Sequence, residues 1–202
     1  INVLGTKEIG PGSYLVSADY LKNVSDKTIN SLAEFHAVYP LRLGMPKEEL
    51  RRRLELPSNL YQEVLVILGN LKLIIEEGNF VRTVAHFPAF SDPQEQQAIK
   101  FIQALERQPY APPTDIKVDS EILSLLVSQG RIVKISEEIH FAPAPYEDVV
   151  QKIQEFIREK GKISVGDLRD MFNTSRKYAL PFLEHLDNRK ITQRVGDDRV
   201  LV

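Results

Sequence analysis

Apolar and polar positions along this chain fall into one arrangement that returns about every sixty residues. An apolar-periodic helix is followed by a link, an apolar strand, an acidic or glycine turn and a second strand. In one copy a helix at 60–70 leads to strand 71–75, a turn at Glu76-Glu77-Gly78-Asn79 and strand 80–84. In the next, a helix at 120–129 leads to strand 131–135, a turn at Ser136-Glu137-Glu138 and strand 139–141. In the last, a helix at 175–189 leads to strand 191–195, a turn at Gly196-Asp197-Asp198 and strand 199–202. The chain opens on what reads as the end of a further copy: Val3-Leu4-Gly5, a Gly-Pro-Gly turn at 10–12, then Tyr14-Leu15-Val16. That strand-like start, with no methionine, predicts a piece of a longer protein.

More helix precedes each hairpin. Ile29, Leu32, Ala33 and Phe35 share one face of a helix over about 27–39, which Pro40 stops. Pro46 opens a short helix over 47–54. Val149, Ile153, Phe156 and Ile157 form a further apolar stripe, closed by Gly161. Ser164 and Asp167 then read as a capping box. In the middle copy Ala98, Phe101, Ile102 and Leu105 predict a first helix, while Pro109, Pro112 and Pro113 interrupt the second. Three helices and a two-stranded wing make a winged helix. The expected class is therefore α+β, mostly helical, as tandem winged-helix modules. The predicted divisions are a truncated wing at 1–18, a module at 19–90, a degenerate acidic module at 91–145 and a module at 146–202. The links Phe87-Pro88-Ala89-Phe90-Ser91 and Ala142-Pro143-Ala144-Pro145 read as stiff spacers.

Charge narrows the function. The 202 residues carry a net charge of −2, so any affinity for nucleic acid must come from a local patch. Residues 19–90 are net neutral, 91–145 carry −3 and 146–202 carry +1. The absence of cysteine excludes disulfides and thiolate metal sites and fits a reducing, cytoplasmic setting. The longest apolar run, Val64 to Leu68, is too short to span a bilayer, and no signal peptide is visible.

Candidate chemistry gathers at the end of the chain. Asn173, Thr174 or Ser175 caps the last helix, whose free N–H groups suit phosphate oxygens. Arg176 and Lys177 add cations there, and Tyr178 either stacks on a base or enters the core. Arg194 and Arg199 flank the last turn. They either grip a phosphate backbone from the hairpin tip or pair with Asp197 and Asp198. Pro181 falls inside the same helix, and the pattern predicts a bend or a separately held first turn. Arg51, Arg52 and Arg53 are the densest cation run. They form either a self-paired face, with Glu48–Arg52 and Glu49–Arg53 as pairs, or a secondary RNA contact. His36, His86, His140 and His185 lie far apart in sequence with no metal-ligand spacing. No phosphate loop, dinucleotide fingerprint or nucleophile triad is present. The chain reads as a binding module with no catalytic residues and no metal.

Ser175-Arg176-Lys177-Tyr178-Ala179-Leu180-Pro181-Phe182-Leu183-Glu184-His185-Leu186-Asp187, followed by Thr192-Gln193-Arg194-Val195-Gly196-Asp197-Asp198-Arg199, closely resembles the C-terminal end of the bacterial selenocysteine-specific elongation factors. Ala33-Glu34-Phe35-His36-Ala37-Val38-Tyr39-Pro40-Leu41-Arg42 and Gly44-Met45-Pro46-Lys47-Glu48-Glu49-Leu50-Arg51 resemble the opening of the second of four winged helices in that family. The resemblance implies an arm whose last module binds a hairpin in selenoprotein mRNA through Ser175, Arg176, Lys177, Tyr178, Arg194 and Arg199. It also implies that GTP, Mg and selenocysteinyl-tRNA belong to a GTPase part outside this chain, with the ribosome as a further partner, and that the protein is a monomer. Two rivals remain on the residues alone. One is a DNA-binding tandem winged-helix regulator; the other is a protein–protein scaffold.

Overall fold

The computed structural model describes residues 6–9 and 14–202. Val3–Gly5 and the Gly-Pro-Gly turn lie outside the described residues. Strands β1 (Thr6–Ile9) and β2 (Tyr14–Ser17) pair antiparallel, Thr6 opposite Ser17. The chain divides into two compact units, Ile1–Ala89 and Phe90–Val202.

In the first unit, helix α1 runs Ala18–Val38, starting well before the predicted 27 because the Ser17 side chain accepts from the Tyr20 N–H. Strand β3 (Met45–Pro46), helices α2 (Lys47–Leu54) and α3 (Ser58–Asn70), and strands β4 (Ile74–Glu77) and β5 (Phe80–Thr83) follow. Leu32, Phe35, Met45, Leu50, Leu65 and Val81 close the core between them. The wing has three strands, in the order β3-β5-β4, where two were expected. Gly44 makes room for the third: a Cβ there would stand 2.6 Å from the Val81 carbonyl oxygen.

The second unit begins with α4 (Asp92–Arg107), α5 (Ser120–Ser128), β6 (Val133–Lys134) and β7 (His140–Phe141). The expectation of three helices per module fails here. Residues 108–119 form an irregular strap, because Pro109, Pro112 and Pro113 supply no N–H groups for a helical ladder. A second correction concerns the supposed spacer at 142–145. Pro143 and Pro145 lie in the first turn of α6 (Pro143–Lys160), where a missing N–H costs nothing. Gly161 ends α6 at φ 83. Then come β8 (Ile163–Ser164), α7 (Val165–Phe172), opened by the Ser164–Asp167 capping box, α8 (Arg176–Asn188), β9 (Thr192–Val195) and β10 (Asp198–Leu201). This wing too is three-stranded, in the order β8-β10-β9. Ile135, Ile139 and Phe141 of the middle wing share one apolar cluster with Ile153, Phe182 and Leu186.

The three copies share one backbone exit from the helix before the wing. After α3, α5 and α8 the chain turns through one left-handed residue, Lys72, Gly130 and Lys190, at φ 55, 67 and 57. The next N–H, from Leu73, Arg131 and Ile191, reaches back to the carbonyls of Leu68, Leu126 and Leu186 at 3.0, 2.9 and 3.0 Å. These helix exits use residues that the apolar pattern assigns to strands, so β4, β6 and β9 begin later than predicted.

Candidate nucleic-acid interface

The start of α8 is cationic and open. Asn173, at φ 45, ends α7, and its N–H bonds the Arg169 carbonyl. The Thr174 hydroxyl donates to the Tyr110 carbonyl at 2.6 Å, so it too leaves the helix uncapped. Ser175 occupies the cap position without a side-chain bond, and no acidic residue stands in the first turn. The Arg176 and Lys177 N–H groups have no acceptor among the described residues, as expected for the orphan donors of a first turn.

The side chains there differ in what holds them. Ser175, Arg176 and Lys177 are exposed. Arg176 pairs with no carboxylate among the described residues. Lys177 Nζ donates to Thr114 Oγ1 of the strap at 2.6 Å. Tyr178 is half-buried and lines a small apolar gap with Tyr110, Phe172 and Phe182. Its ring is thus committed mainly to packing, with Lys177 Nζ 5.5 Å from the centroid. Helix α8 continues through Pro181 to Asn188.

The two wing arginines stand opposite each other on β10 and β9 but differ in exposure. Arg194 is exposed at the turn; its Nε donates to the Gly196 carbonyl at 2.8 Å, and it stands 3.8 Å from Asp197. Gly196, at φ 64, supplies the left-handed residue of the tight turn. Arg199 was expected to project from the tip region with Arg194; it is Arg194's cross-strand partner but only 2% exposed. Its Nε donates to Asp187 Oδ2 at 3.3 Å, while Thr192 Oγ1 donates to Asp187 Oδ1 at 2.6 Å. Asp187 therefore ties the end of α8 to both β9 and β10. Alternation puts Arg199 on one face with Leu201, but it does not say which face turns toward the module, and Arg194, opposite Arg199, is exposed. An exposed cation paired to the wing was missed. Lys162, just before β8, reaches Asp198 at 2.6 Å, and this pairing raises the lysine pKa.

In the first unit the arginine run is largely self-paired, with one of the two predicted pairs formed. Arg51, not Arg52, bonds Glu48, through Nε and Nη2 at 3.0 and 2.9 Å. Arg53 meets Glu49 at 2.6 Å as expected, and Arg52 reaches only the Glu48 carbonyl, at 3.4 Å. Two histidines distant in sequence meet: the rings of His36 and His86 stack 3.7 Å apart and 3° from parallel. Burial, then the charges of His86 and Arg82, push the His36 pKa down to about 4. Among the described residues no cluster of three metal-ligating side chains forms, and no helix is long and apolar enough to cross a membrane.

Two family models, both described as "Elongation factor SelB, winged helix", match the chain. That for the second such domain matches residues 29–82 and that for the third matches 155–201. The chain belongs to the SelB family. The module at the end of the chain, counted fourth in the sequence reading, is thus third in the family models; the two matches leave residues 83–154, with the two-helix middle module, uncovered. The selenocysteine-specific elongation factor of Desulfomicrobium baculatum is 26% identical over 98% of this chain, which spans 34% of that SelB protein. The crystal structure of the bacterial selenocysteine-specific elongation factor EF-Sec aligns with 99% of this chain and 32% of its own, at 19% identity and a TM-score of 0.51, and so shares the fold. The mRNA-binding domain of Escherichia coli SelB, solved in complex with SECIS RNA, aligns with 55% of this chain at 22% identity and a TM-score of 0.43, a likeness that carries no weight here. This chain therefore spans about a third of the SelB relatives it matches.

Proposed function

We propose that this winged-helix part of a SelB factor binds the hairpin of a selenoprotein mRNA through the start of α8 and the neighbouring wing. The observation that carries the reading is the un-neutralised cationic helix start: free N–H groups, Arg176 without an acid, and Lys177 held by a hydroxyl. Other cations of the described residues are neutralised by carboxylates, as Arg131 is by Glu95 and Lys47 by Glu76. Ser175, Arg176, Lys177 and Arg194 are the contact residues in this reading. Tyr178 and Arg199 hold the helix and wing that present them. Arg51–Arg53 form a weaker secondary contact, chiefly through Arg52.

The chemistry favours RNA over a DNA major groove. Past its first turn α8 presents Glu184, which repels phosphate, and no row of Arg, Asn or Gln for reading base edges. The deep major groove of A-form RNA excludes side chains, so a small winged helix grips backbone shape and loop. The resemblance extends the reading to the whole factor, a monomer acting in the cytoplasm. There the missing part holds GTP with Mg and selenocysteinyl-tRNA at the ribosome, and residues 19–145 serve as a spacer without catalytic activity of their own.

The test is a salt titration of the full chain with an mRNA hairpin taken from just downstream of a selenocysteine UGA codon, beside a DNA duplex. Preferential hairpin binding is expected. Arg176→Ala/Lys177→Ala should weaken it at least tenfold and reduce the slope of log K against log salt by about two. Equal affinity for hairpin and duplex, or an unchanged slope, removes the reading.

A further inference from the structure

Lys177 differs from every other hydrogen-bonded lysine among the described residues. Lys47, Lys134, Lys152, Lys160 and Lys162 each reach a carboxylate. Lys177 reaches a neutral hydroxyl, contributed by another module 63 positions away. A carboxylate there would hold the ammonium but cancel its field. A hydroxyl oxygen accepts one N–H, fixes the direction of the long side chain and leaves the charge and two further donors intact.

The strap that offers this hydroxyl is itself fastened. The Tyr110 hydroxyl donates to Asp148 Oδ2 on α6 at 2.8 Å. Its ring lies 4.9 Å from that of Phe172, and its carbonyl accepts from Thr174 at 2.6 Å. Pro112 is buried, and Pro113 stiffens the backbone immediately before Thr114. The strap is thus held at Tyr110, four residues before Thr114, by α6 and by the end of α7, independently of the lysine that Thr114 meets.

From this geometry we infer that Thr114 of the middle module is a positioning residue for RNA binding, orienting Lys177 toward the phosphate backbone without neutralising it. The inference rests on the hairpin-binding reading above. The middle module, acidic overall and short of a helix, thereby acts on the RNA surface through one side chain.

The experiment uses the full chain and the same mRNA hairpin. Thr114→Val keeps the shape and removes the acceptor; affinity should fall about threefold, the scale of one exposed charge–dipole contact. Thr114→Ser should restore it. In a Lys177→Ala background Thr114→Val should have no further effect, because the lysine it orients is gone. The melting temperature of Thr114→Val should match that of the wild type. Wild-type affinity in Thr114→Val overturns the inference, as does a loss that persists undiminished without Lys177. If the wild type itself does not prefer the hairpin, the functional reading above fails, and this inference with it.

Discussion

Arg199 is a buried charged side chain with one long bond, 3.3 Å to Asp187, and one buried Nη2 that has no partner among the described residues. Its retention depends on Asp187, which also holds Thr192. Asp187→Ala should therefore cost about 3 kcal/mol in urea unfolding, since it strands a buried cation. Arg199→Met added to it should recover most of that loss, because an apolar pair of similar volume needs no desolvation. A mild effect of Asp187→Ala would mean that the guanidinium reaches water.

His36 gives a pH-dependent counterpart in the first unit. Its pKa falls from 6.5 to about 4 on folding, so the folded state binds fewer protons. The stability this contributes is full above 6.5 and drains away as pH drops toward 4, by a few kcal/mol at most. Urea midpoints at pH 7 and pH 5 should differ for the wild type, and His36→Gln should narrow the difference. At this scale the sequence was half legible. Arg176, Lys177 and Arg194 stand exposed where local pattern put them. Arg199 and the His36–His86 stack depend on which face of a short strand turns inward and on a fold that joins distant segments, and local pattern holds neither.

Among the elements, helices read best because their periodicity is long. The stripe Val149, Ile153 and Ile157 is buried on α6 as expected, and the Ser164–Asp167 box caps α7. Strand starts read worst. The left-handed exits at Lys72 and Lys190 carry lysine where glycine would have advertised the turn, as it does at Gly130. The third wing strand was invisible, since two residues carry no alternation. Gly44 was its one trace. Gly44→Ala should push β3 off β5 and destabilise the first unit by about 1–3 kcal/mol, read as a lower melting temperature.

For the whole molecule, the sequence divides the chain by repeat, while the packing joins the middle and last copies into one unit. A shared apolar cluster and the strap do the joining: Phe141 meets Phe182 with ring centroids 5.2 Å apart, and Tyr110 fills the seam beside Tyr178. Prolines announce that residues 108–119 are not helix, but nothing local says where that segment goes. A protein of residues 146–202 alone lacks both Phe141 and Tyr110. It should melt below one of residues 90–202 and bind the hairpin more weakly, by calorimetry and titration side by side. Equal melting would show that the last module needs no neighbour.

The placement of Tyr110 also bears on how inherited or selected variants are sorted. A substitution at residue 110 belongs, by its position in the gene, to the middle repeat, yet its phenotype would group with lesions in the last one. Genetic maps that score this protein repeat by repeat will file such alleles under the wrong heading, and suppressors of them should be sought around Phe172, Thr174 and Asp148 rather than among their sequence neighbours.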